Sequence, residues 1–363
     1  MIRLATRVGV TAVLMAAPFS ATAPLMAQSA TTPSAVRVRV VDDINQHPLI
    51  NAQVIDLATQ QAKFTNGLGE VSVATNGRDS VRLRVRQIGF GFVERTFATL
   101  PTSGSRAATI VVMLHPVSYN LPKVSTLAVN ECGVASDRVS GDVSAAVLAQ
   151  LRLGAERYDA FRRAYPFRVW VERRTTQRDS LNHMITDPLE TAPDESERWG
   201  NTYLPGKVFN ATPDRTFSVP ILFVSALGAP EFWTHHCFAA RGVETLDKVR
   251  VIRLDFWPTK ATKTPDWSGS AYLDSASSML RRVDFKITNF RKHDVLHDMD
   301  GYTMFSSPTA FIAMPDSTVA QWWYQRALYN GDLQGPDGYQ SLVVRRMEYR
   351  DSVPATVRQV RVP

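Results

Sequence analysis

The sequence predicts a mainly β protein: an N-terminal seven-stranded antiparallel β-sandwich, followed by a curved antiparallel sheet domain with one packed helix. Short runs that alternate apolar and polar residues fill 36–115, and turn residues separate them. Longer alternating runs return after residue 167, and between the two sets apolar residues recur at helical spacing. Alternation with a period of two is typical of half-buried strands, and a period of 3.6 is typical of a helix with one buried face.

Length and charge limit the class of protein. The 363 residues suffice for two ordinary domains. Lysine and arginine number 41 against 34 acidic residues, which gives a formal net charge of +7, and both signs are spread along the chain. A nucleic-acid interface needs a concentrated basic face. No nucleic-acid partner is therefore predicted.

The first 27 residues have the pattern of a secretory signal peptide. Arg3 and Arg7 precede an apolar run at 8–17, and small residues lead to a cleavage point after Ala27. The apolar run is short against the ~20 residues of a membrane-spanning helix, which disfavours an anchor. The pattern predicts export, either to the periplasm or to an outer-membrane-associated or extracellular location, with no transmembrane segment in the mature chain.

After a spacer at 28–35, residues 36–116 form the predicted sandwich. The turn pairs Asn66-Gly67 and Asn76-Gly77 separate strands. Two of the strands are predicted at 92–97 and 109–114. The alternating apolar positions of the others are Val36, Val38, Val40, Val54, Leu57, Val81, Leu83 and Val85.

The run VRVRVVDDINQHPLINAQVIDLATQQAKFTNGLGEVSV, with RQIGF and VVMLHPV after it, resembles the carboxypeptidase regulatory-like domain. The resemblance implies a transthyretin-like, carbohydrate-binding-like sandwich that carries no catalytic residues. Two turn glycines usual in that family are replaced here, one by Gln46 or His47 and the other by Asn51. The matching residues are Asp43, Pro48, Leu49, Ala52, Val54, Thr65, Asn66, Gly69, Val71, Ile88, Gly89 and Phe90.

Catalytic motifs are missing from the sequence. No histidine is followed by glutamate in a His-x-x-Glu or His-Glu-x-x-His pattern, which excludes a zinc peptidase of either kind. Residues 200–207 have the glycines of a phosphate loop, but the spacing is one residue too long and Val208 replaces the required serine or threonine. No enzyme and no cofactor are therefore predicted.

Residues 117–140 are predicted to be a connector, and 141–363 a β-rich domain that begins with a helix. The helix runs from Asp142, a good N-cap, to Tyr165, and Pro166 ends it. Its apolar stripe is Val147, Leu151, Ala155, Tyr158, Phe161 and Tyr165. Strands are predicted at 167–177, 248–257, 268–274, 280–289, 317–326 and 342–350, and a long loop at 186–216.

The chain has two cysteines, Cys132 and Cys237. In an oxidising compartment an even pair is more often a disulfide than a metal site, so a Cys132–Cys237 bridge is predicted. The alternative is a metal site formed by His235, His236 and Cys237. Adjacent residues of a strand point to opposite faces, which disfavours that site.

The stretch at 228–287, together with MPDSTVAQWWYQRA further on, resembles the C-terminal part of bacterial envelope proteins that pair a regulatory-like sandwich with a β-rich domain. Its strand–turn–strand pattern is also similar to the half-barrel of periplasmic lipoprotein carriers. The resemblance implies a location and an architecture, and a cysteine after the sandwich supports the predicted bridge. The matching residues are His236, Cys237, Phe238, Phe256, Pro258, Gly269, Leu273, Asp274, Leu280 and Trp323.

Two groups of side chains are candidates for ligand binding. His293 and His297 are spaced to share one face of a helix, but a hairpin loop is predicted there, so they are weak metal candidates and no metal is assigned. Five tryptophans either line a groove for an acyl chain or a sugar or pack in the core. They are Trp233, Trp257, Trp267, Trp322 and Trp323.

The sequence favours an exported cell-envelope protein that is not an enzyme and acts as a binding or docking module. A glycan or another envelope protein is the candidate partner. One alternative is a lipid or lipoprotein carrier that uses an apolar concavity in the second domain. Another alternative is a hydrolase of unknown type.

Overall fold

A computed structural model describes residues 35–99, 109–117, 141–179, 181, 183–200, 203–209, 217, 222–292, 294–309, 312–325 and 335–351. The predicted signal peptide and spacer, the connector at 118–140 with Cys132, and His293 lie outside these residues. The interpretations that rest on them stay predictions.

The N-terminal module is a sandwich of two small sheets, as predicted. Its seven strands are β1 (Ala35–Asp42), β2 (Gln53–Asp56), β3 (Gln61–Phe64), β4 (Glu70–Ala74), β5 (Ser80–Arg86), β6 (Val93–Ala98) and β7 (Thr109–Leu114). One sheet has the order β4-β1-β7 and the other β3-β2-β5-β6. Val38 of one sheet and Leu83 of the other belong to one buried core between the sheets. The arginines that alternate with them on β1 and β5 are exposed or partly exposed.

The prediction of an entirely antiparallel sandwich is wrong for one strand pair. β1 and β7 run parallel, with Val40 opposite Val112. The chain leaves β6 in one sheet and crosses to the other before β7, so β7 arrives beside β1 in the same direction. Residue alternation reports which face of a strand is buried and carries no information about strand direction.

The second part of the chain is one long curved sheet with helices on its inner side. Helix α1 (Gly141–Ala164) precedes strands β8 (Phe167–Arg178), β9 (Met184–Thr186) and β10 (Glu190–Glu195), and then helices α2 (Val224–Leu227) and α3 (Pro230–His235). The remaining strands are β11 (His236–Leu246), β12 (Val249–Pro258), β13 (Asp266–Asp274), β14 (Leu280–Thr288), β15 (Leu296–Ser306), β16 (Met314–Tyr324) and β17 (Gly338–Tyr349).

The ten strands of this sheet are antiparallel, which confirms the predicted mainly β fold with a curved second sheet. Consecutive strands from β11 to β17 are neighbours, and β17 pairs with β8, which in turn pairs with β10 and β9. The prediction of a single helix is wrong, because α2 and α3 also pack inside the sheet. They are too short, at 4 and 6 residues, to show a helical period in the sequence.

On the inner face of the sheet, large aromatic residues lie opposite glycines on the neighbouring strands. Phe256, Gly269, Phe285 and Gly301 lie in one row across four neighbouring strands. A Cβ atom at Gly301 would lie 2.9 Å from the ring of Phe285. The rings therefore lie over the glycines of neighbouring strands, which lets the sheet curve closely around its contents.

Helix α1 and the segment at 222–232 fill much of the concavity. The predicted stripe of α1 is buried from Val147 to Phe161 and belongs to one core cluster with the inner face of the sheet. Phe223 and Phe232 belong to the same cluster. An apolar concavity is thus present, and most of its volume is occupied by the protein's own side chains.

The sandwich packs firmly against α1. Ile88, a residue of the sandwich, belongs to the core cluster of the second part. The guanidinium of Arg157, on α1, is fully buried and donates to the Gln87 side chain and to the Asn51 carbonyl. The Gln150 carboxamide oxygen accepts the N–H of Gly89 at 2.9 Å. Through these contacts the sandwich packs directly on α1.

Candidate functional site

A cavity of about 200 Å³ remains at one end of the concavity, where β8, β10 and β17 meet the turn before Gly200. Its lining consists of Val171, Arg173, Glu190, Ala192, Pro193, Asp194, Arg198, Trp199, Phe223 and Leu342. Residues that are more than 150 positions apart in the sequence are brought together by strand register, since Arg173 lies opposite both Glu190 and Leu342.

The cavity has an apolar floor and a charged mouth. Val171 faces Ala192 across the strand pair, and Leu342 and Phe223 complete the floor. At the mouth, the Arg173 guanidinium lies 3.4 Å from the Glu190 carboxylate, and both side chains are about half exposed. A site of this kind accommodates an apolar chain whose polar end remains near water.

Trp199 forms the inner wall of the cavity. Its side chain is 2% exposed and meets the ring of Phe223 edge-on, with 5.3 Å between the ring centroids. The Tyr158 hydroxyl donates to the Trp199 carbonyl at 2.6 Å, which fixes the turn against α1. Among the described residues, no atom accepts a hydrogen bond from the indole Nε1. A buried donor without an acceptor is uncommon and costs free energy.

Arg198 stands beside Trp199 at the mouth. Its side chain is exposed, and within the described part of the chain it forms no ion pair or hydrogen bond. Nearby arginines differ, because Arg168 and Arg350 both pair with the Glu195 carboxylate. Arg198 is therefore a cation at the cavity that has no acidic partner in the described structure.

A second polar cluster lies deeper, between the segment at 203–209 and β13. The Tyr203 hydroxyl donates to the Asp266 carboxylate at 2.5 Å, and His236 Nε2 lies 3.5 Å from the same carboxylate. Burial raises the pKa of Asp266 to about 6 and lowers the pKa of His236 to about 4. All three side chains are at most 2% exposed, so a substrate has no access to them.

Both ring nitrogens of His236 approach carbonyl oxygens. Nδ1 lies 2.8 Å from the Phe232 carbonyl and Nε2 lies 2.9 Å from the Trp267 carbonyl. A neutral imidazole donates from one nitrogen only. Burial lowers the pKa of His236 and so favours the neutral ring, which donates to only one of the two carbonyls. The cluster anchors α3 and the 203–209 segment to the sheet.

The five tryptophans singled out in the sequence do not form one site. Trp267 and Trp322 are buried on the inner face, whereas Trp257 and Trp323 alternate with buried residues and lie on the outer face. Trp233 is on α3, where its Nε1 donates to the Leu227 carbonyl at 2.6 Å. None of the five lines the described cavity.

The histidine and cysteine candidates are also separated. His297 lies in β15 rather than in a loop, and its Nδ1 is 2.8 Å from the Tyr324 carbonyl. His235 ends α3 and His236 begins β11, next to the buried Cys237. Cys237 is not a free thiol, but the bridge to Cys132 stays a prediction. Over the described ranges, no cluster of three potential ligands is arranged to hold a metal ion.

Trp199 was not predicted as a site residue, because it lies in the stretch at 186–216 that was predicted to be loop. That stretch contains β10 and the turn that carries Arg198. A signal was present in the sequence: a single tryptophan stands within the otherwise polar run DESERWGN. A large aromatic residue in a polar segment is usually buried against something.

Comparisons with known proteins give a limited result. No family model matches the chain, and no curated protein matches it. The resemblance of residues 36–116 to the carboxypeptidase regulatory-like domain is therefore not confirmed. None of the helices in the described ranges has the length and hydropathy needed to cross a bilayer.

Three solved structures are similar to this chain at a low level. A DUF1329 family protein from Desulfovibrio piger has 8% identity and a TM-score of 0.31, covering 57% of this chain and 95% of its own. A LolA superfamily protein from Nitrosomonas europaea has 13% identity and a TM-score of 0.29, covering 54% and 90%. An outer membrane lipoprotein-sorting protein domain from Vibrio parahaemolyticus has 11% identity and a TM-score of 0.27, covering 58% and 97%. Alignments at these TM-scores do not define a shared fold.

Proposed function

We propose that this chain is an exported binding protein that holds one apolar chain of an amphipathic molecule in the cavity beside Trp199. This is the carrier function considered from the sequence, now assigned to specific residues. The observation that carries it is the cavity itself, with its apolar floor of Val171, Ala192 and Leu342 and its charged mouth. Export is supported by the signal-peptide pattern of the first 27 residues.

The volume limits the size of the bound group. At about 30 Å³ for each group of the size of water, about 200 Å³ accommodates roughly seven such groups. Pockets for drug-sized ligands are larger, at roughly 300–1,000 Å³. The cavity therefore suits an alkyl chain of about seven or eight carbons, or the end of a longer chain whose remainder lies outside the mouth.

The sandwich offers less room for a ligand. A small cavity between Val54 and Asn76 has a volume of about 10 Å³, which is far below the volume beside Trp199 and too small for a ligand. The junction between the sandwich and α1 is filled by the buried side chains of Ile88 and Arg157. The geometry thus favours the second part as the binding part, and a glycan or protein partner for the sandwich stays a prediction.

The test fills the cavity and measures the uptake of an eight-carbon chain. Ala192→Phe places a ring between Val171 and Trp199, while Thr191→Phe places the same ring on the opposite face of the same strand. In isothermal titration calorimetry with 1-octanol and with octanoate, the wild type and Thr191→Phe should bind at least one of the two probes, and Ala192→Phe should bind neither. Thermal unfolding of both variants checks that they are folded.

Two results would contradict the proposed function. The first is that the wild type binds neither probe. The second is that folded Ala192→Phe binds the probes as tightly as the wild type.

A further inference from the structure

We infer that Asn76 is a site of spontaneous modification, where the chain loses ammonia and acquires aspartate or isoaspartate, and that the fold protects Asn66 from the same reaction. The inference is independent of the proposed function. An asparagine that precedes glycine is prone to this reaction, because glycine has no side chain to shield its backbone nitrogen. The chain contains three such pairs, and the third, Asn330-Gly331, lies outside the described residues.

The two described pairs have the same immediate sequence. Each belongs to a Thr-Asn-Gly tripeptide, one at 65–67 and the other at 75–77. Both asparagines are exposed to solvent. Since the flanking residues of the tripeptide and the access to water are alike, a difference in reactivity between the two asparagines has to come from the fold.

The reaction at Asn76 needs only the chain and water. The backbone nitrogen of Gly77 loses its proton to solvent and attacks Cγ of the Asn76 carboxamide. The bond from Cγ to Nδ2 breaks, ammonia leaves, and a succinimide ring remains. Water then opens the ring at one of its two carbonyls, which gives either aspartate or an isoaspartate whose backbone runs through the side chain. One water molecule is consumed and one ammonia is released, with no oxidation or reduction.

The turn around Asn76 leaves the reacting groups free. The φ angles of Asn76 and Gly77 are 49° and 75°, and the N–H of Arg78 donates to the Thr75 carbonyl at 3.0 Å, as in a type I′ turn. Within the described residues, the side chain and carbonyl of Asn76 and the N–H of Gly77 form no hydrogen bond. A Cβ added to Gly77 would meet no atom within 4 Å.

The attack requires rotation of the peptide plane between Asn76 and Gly77, which brings the glycine nitrogen toward Cγ. Rotation of this plane is the difference between a type I′ and a type II′ turn, so the hydrogen bond from Arg78 to Thr75 can stay in place. The reactive arrangement therefore requires a local change that breaks none of the described hydrogen bonds.

Asn66 is held in place by three hydrogen bonds. Its Oδ1 accepts from the N–H of Leu68 at 2.9 Å and from the N–H of Glu70 at 3.0 Å. Its carbonyl accepts from the N–H of Gly69 at 2.9 Å. Rotation of the side chain and of the following peptide plane would break all three bonds. The fold therefore raises the barrier to the reaction at Asn66 and not at Asn76.

The reactive turn lies where the two sheets of the sandwich are connected, between β4 and β5. The Arg78 guanidinium crosses this turn and donates to the Thr75 carbonyl at 2.9 Å and to the Ala74 carbonyl at 3.2 Å, and it also pairs with Asp56. An isoaspartate at position 76 adds one backbone carbon to the segment that these bonds span. The modification thus alters a connection on which the packing of the sandwich depends.

The experiment compares the two asparagines within one peptide. The full mature chain is incubated at pH 8, once in native buffer and once in guanidinium chloride, and is then digested with trypsin at a mildly acidic pH. Cleavage after Lys63 and after Arg78 releases residues 64–78, which contain both asparagines and no internal lysine or arginine. Fragment ions in tandem mass spectrometry assign the mass gain to Asn66 or to Asn76.

In the folded chain, Asn76 should deamidate at least about tenfold faster than Asn66. This factor corresponds to three hydrogen bonds at the low end of their typical net strength. In guanidinium chloride the two rates should be similar, because the tripeptides are the same. The rate at Asn76 should also be lower at pH 6 than at pH 8, because the Gly77 nitrogen has to lose a proton before it attacks.

Three results would overturn the inference. The first is that Asn66 deamidates as fast as Asn76 in the folded chain. The second is that neither residue reacts there during an incubation that modifies both in guanidinium chloride. The third is that Asn76 is faster by the same factor in guanidinium chloride, because the difference would then come from the sequence and not from the fold.

Discussion

Replacement of Gly338 by alanine should destabilise the protein through one specific overlap. Gly338 begins β17 and lies opposite Trp322 of β16. A Cβ at this position would lie closer than 3.0 Å to three atoms of the Trp322 ring. The ring is 1% exposed and packs edge-on with Phe217, with 5.2 Å between the two ring centroids. It therefore has little room to move away.

The magnitude follows from the cost of overpacking a dense core. An added methyl group that forces a ring out of place costs about 1–3 kcal/mol of unfolding free energy. Urea unfolding, followed by tryptophan fluorescence, measures this loss for Gly338→Ala. Gly91→Ala is the control, because the nearest atom to its added Cβ is 3.7 Å away, and its stability should change by less than about 1 kcal/mol.

A double-mutant cycle isolates the overlap. Trp322→Phe shortens the ring, so the alanine at position 338 should cost much less in that background, with a coupling of about 1 kcal/mol or more. If Gly338→Ala is as stable as the wild type, or if its cost is the same beside Trp322→Phe, the described packing of rings over glycines is wrong.

Three further predictions concern the buried polar cluster and the junction of the two parts. Because burial raises the pKa of Asp266 from 3.8 to about 6, the folded chain holds this proton more tightly than the unfolded chain. The stabilisation by Asp266 is thus present below pH 4 and lost as the pH rises through 6. Urea unfolding should show the stability of the wild type minus that of Asp266→Asn falling by roughly 2 kcal/mol between pH 4 and pH 7, and a constant difference would contradict this. Tyr203→Phe removes a hydrogen bond to this carboxyl and should cost about 1.5–3 kcal/mol in the same assay, whereas Tyr339→Phe, an exposed site, should cost close to nothing. Ile88→Ala should cost about 2–5 kcal/mol and, because Ile88 lies in the core of the second part, should shift the unfolding of that part as well; calorimetry that finds only the sandwich destabilised would refute the fixed junction.

Much of the architecture could be predicted from residue periodicity. The valines of β1 and β5 alternate strictly with arginines, and the apolar stripe of α1 from Val147 to Phe161 repeats at helical spacing. Each pattern reports the burial of one face, which is the property that periodicity measures. The seven strands of the sandwich and the mainly β second part were therefore predicted correctly.

Elements with mixed patterns were missed. β15 was not among the predicted strands, and a hairpin loop was predicted at His297, although the outer face of this strand is simply polar. β10 is a short strand that pairs with β8 and contains Pro193, a residue that disfavours strands. Both segments are strands because they pair with neighbouring strands, although their local sequences do not favour strand structure.

The cavity could not be predicted from the sequence for a different reason. It is formed where Ala192 meets Val171 and where Arg173 meets Leu342, and both contacts depend on strand register. Register is fixed by the packing of the whole sheet, and a slip of one residue would turn these side chains to the other face. The sequence did suggest an apolar concavity, but the tryptophans proposed to line it lie outside the described cavity.

A crystal structure of the mature chain grown with octanoate tests the central claim most directly. We expect continuous density for an alkyl chain between Val171, Ala192 and Trp199. An unaltered cavity, with octanoate bound elsewhere on the protein or not at all, would contradict the account.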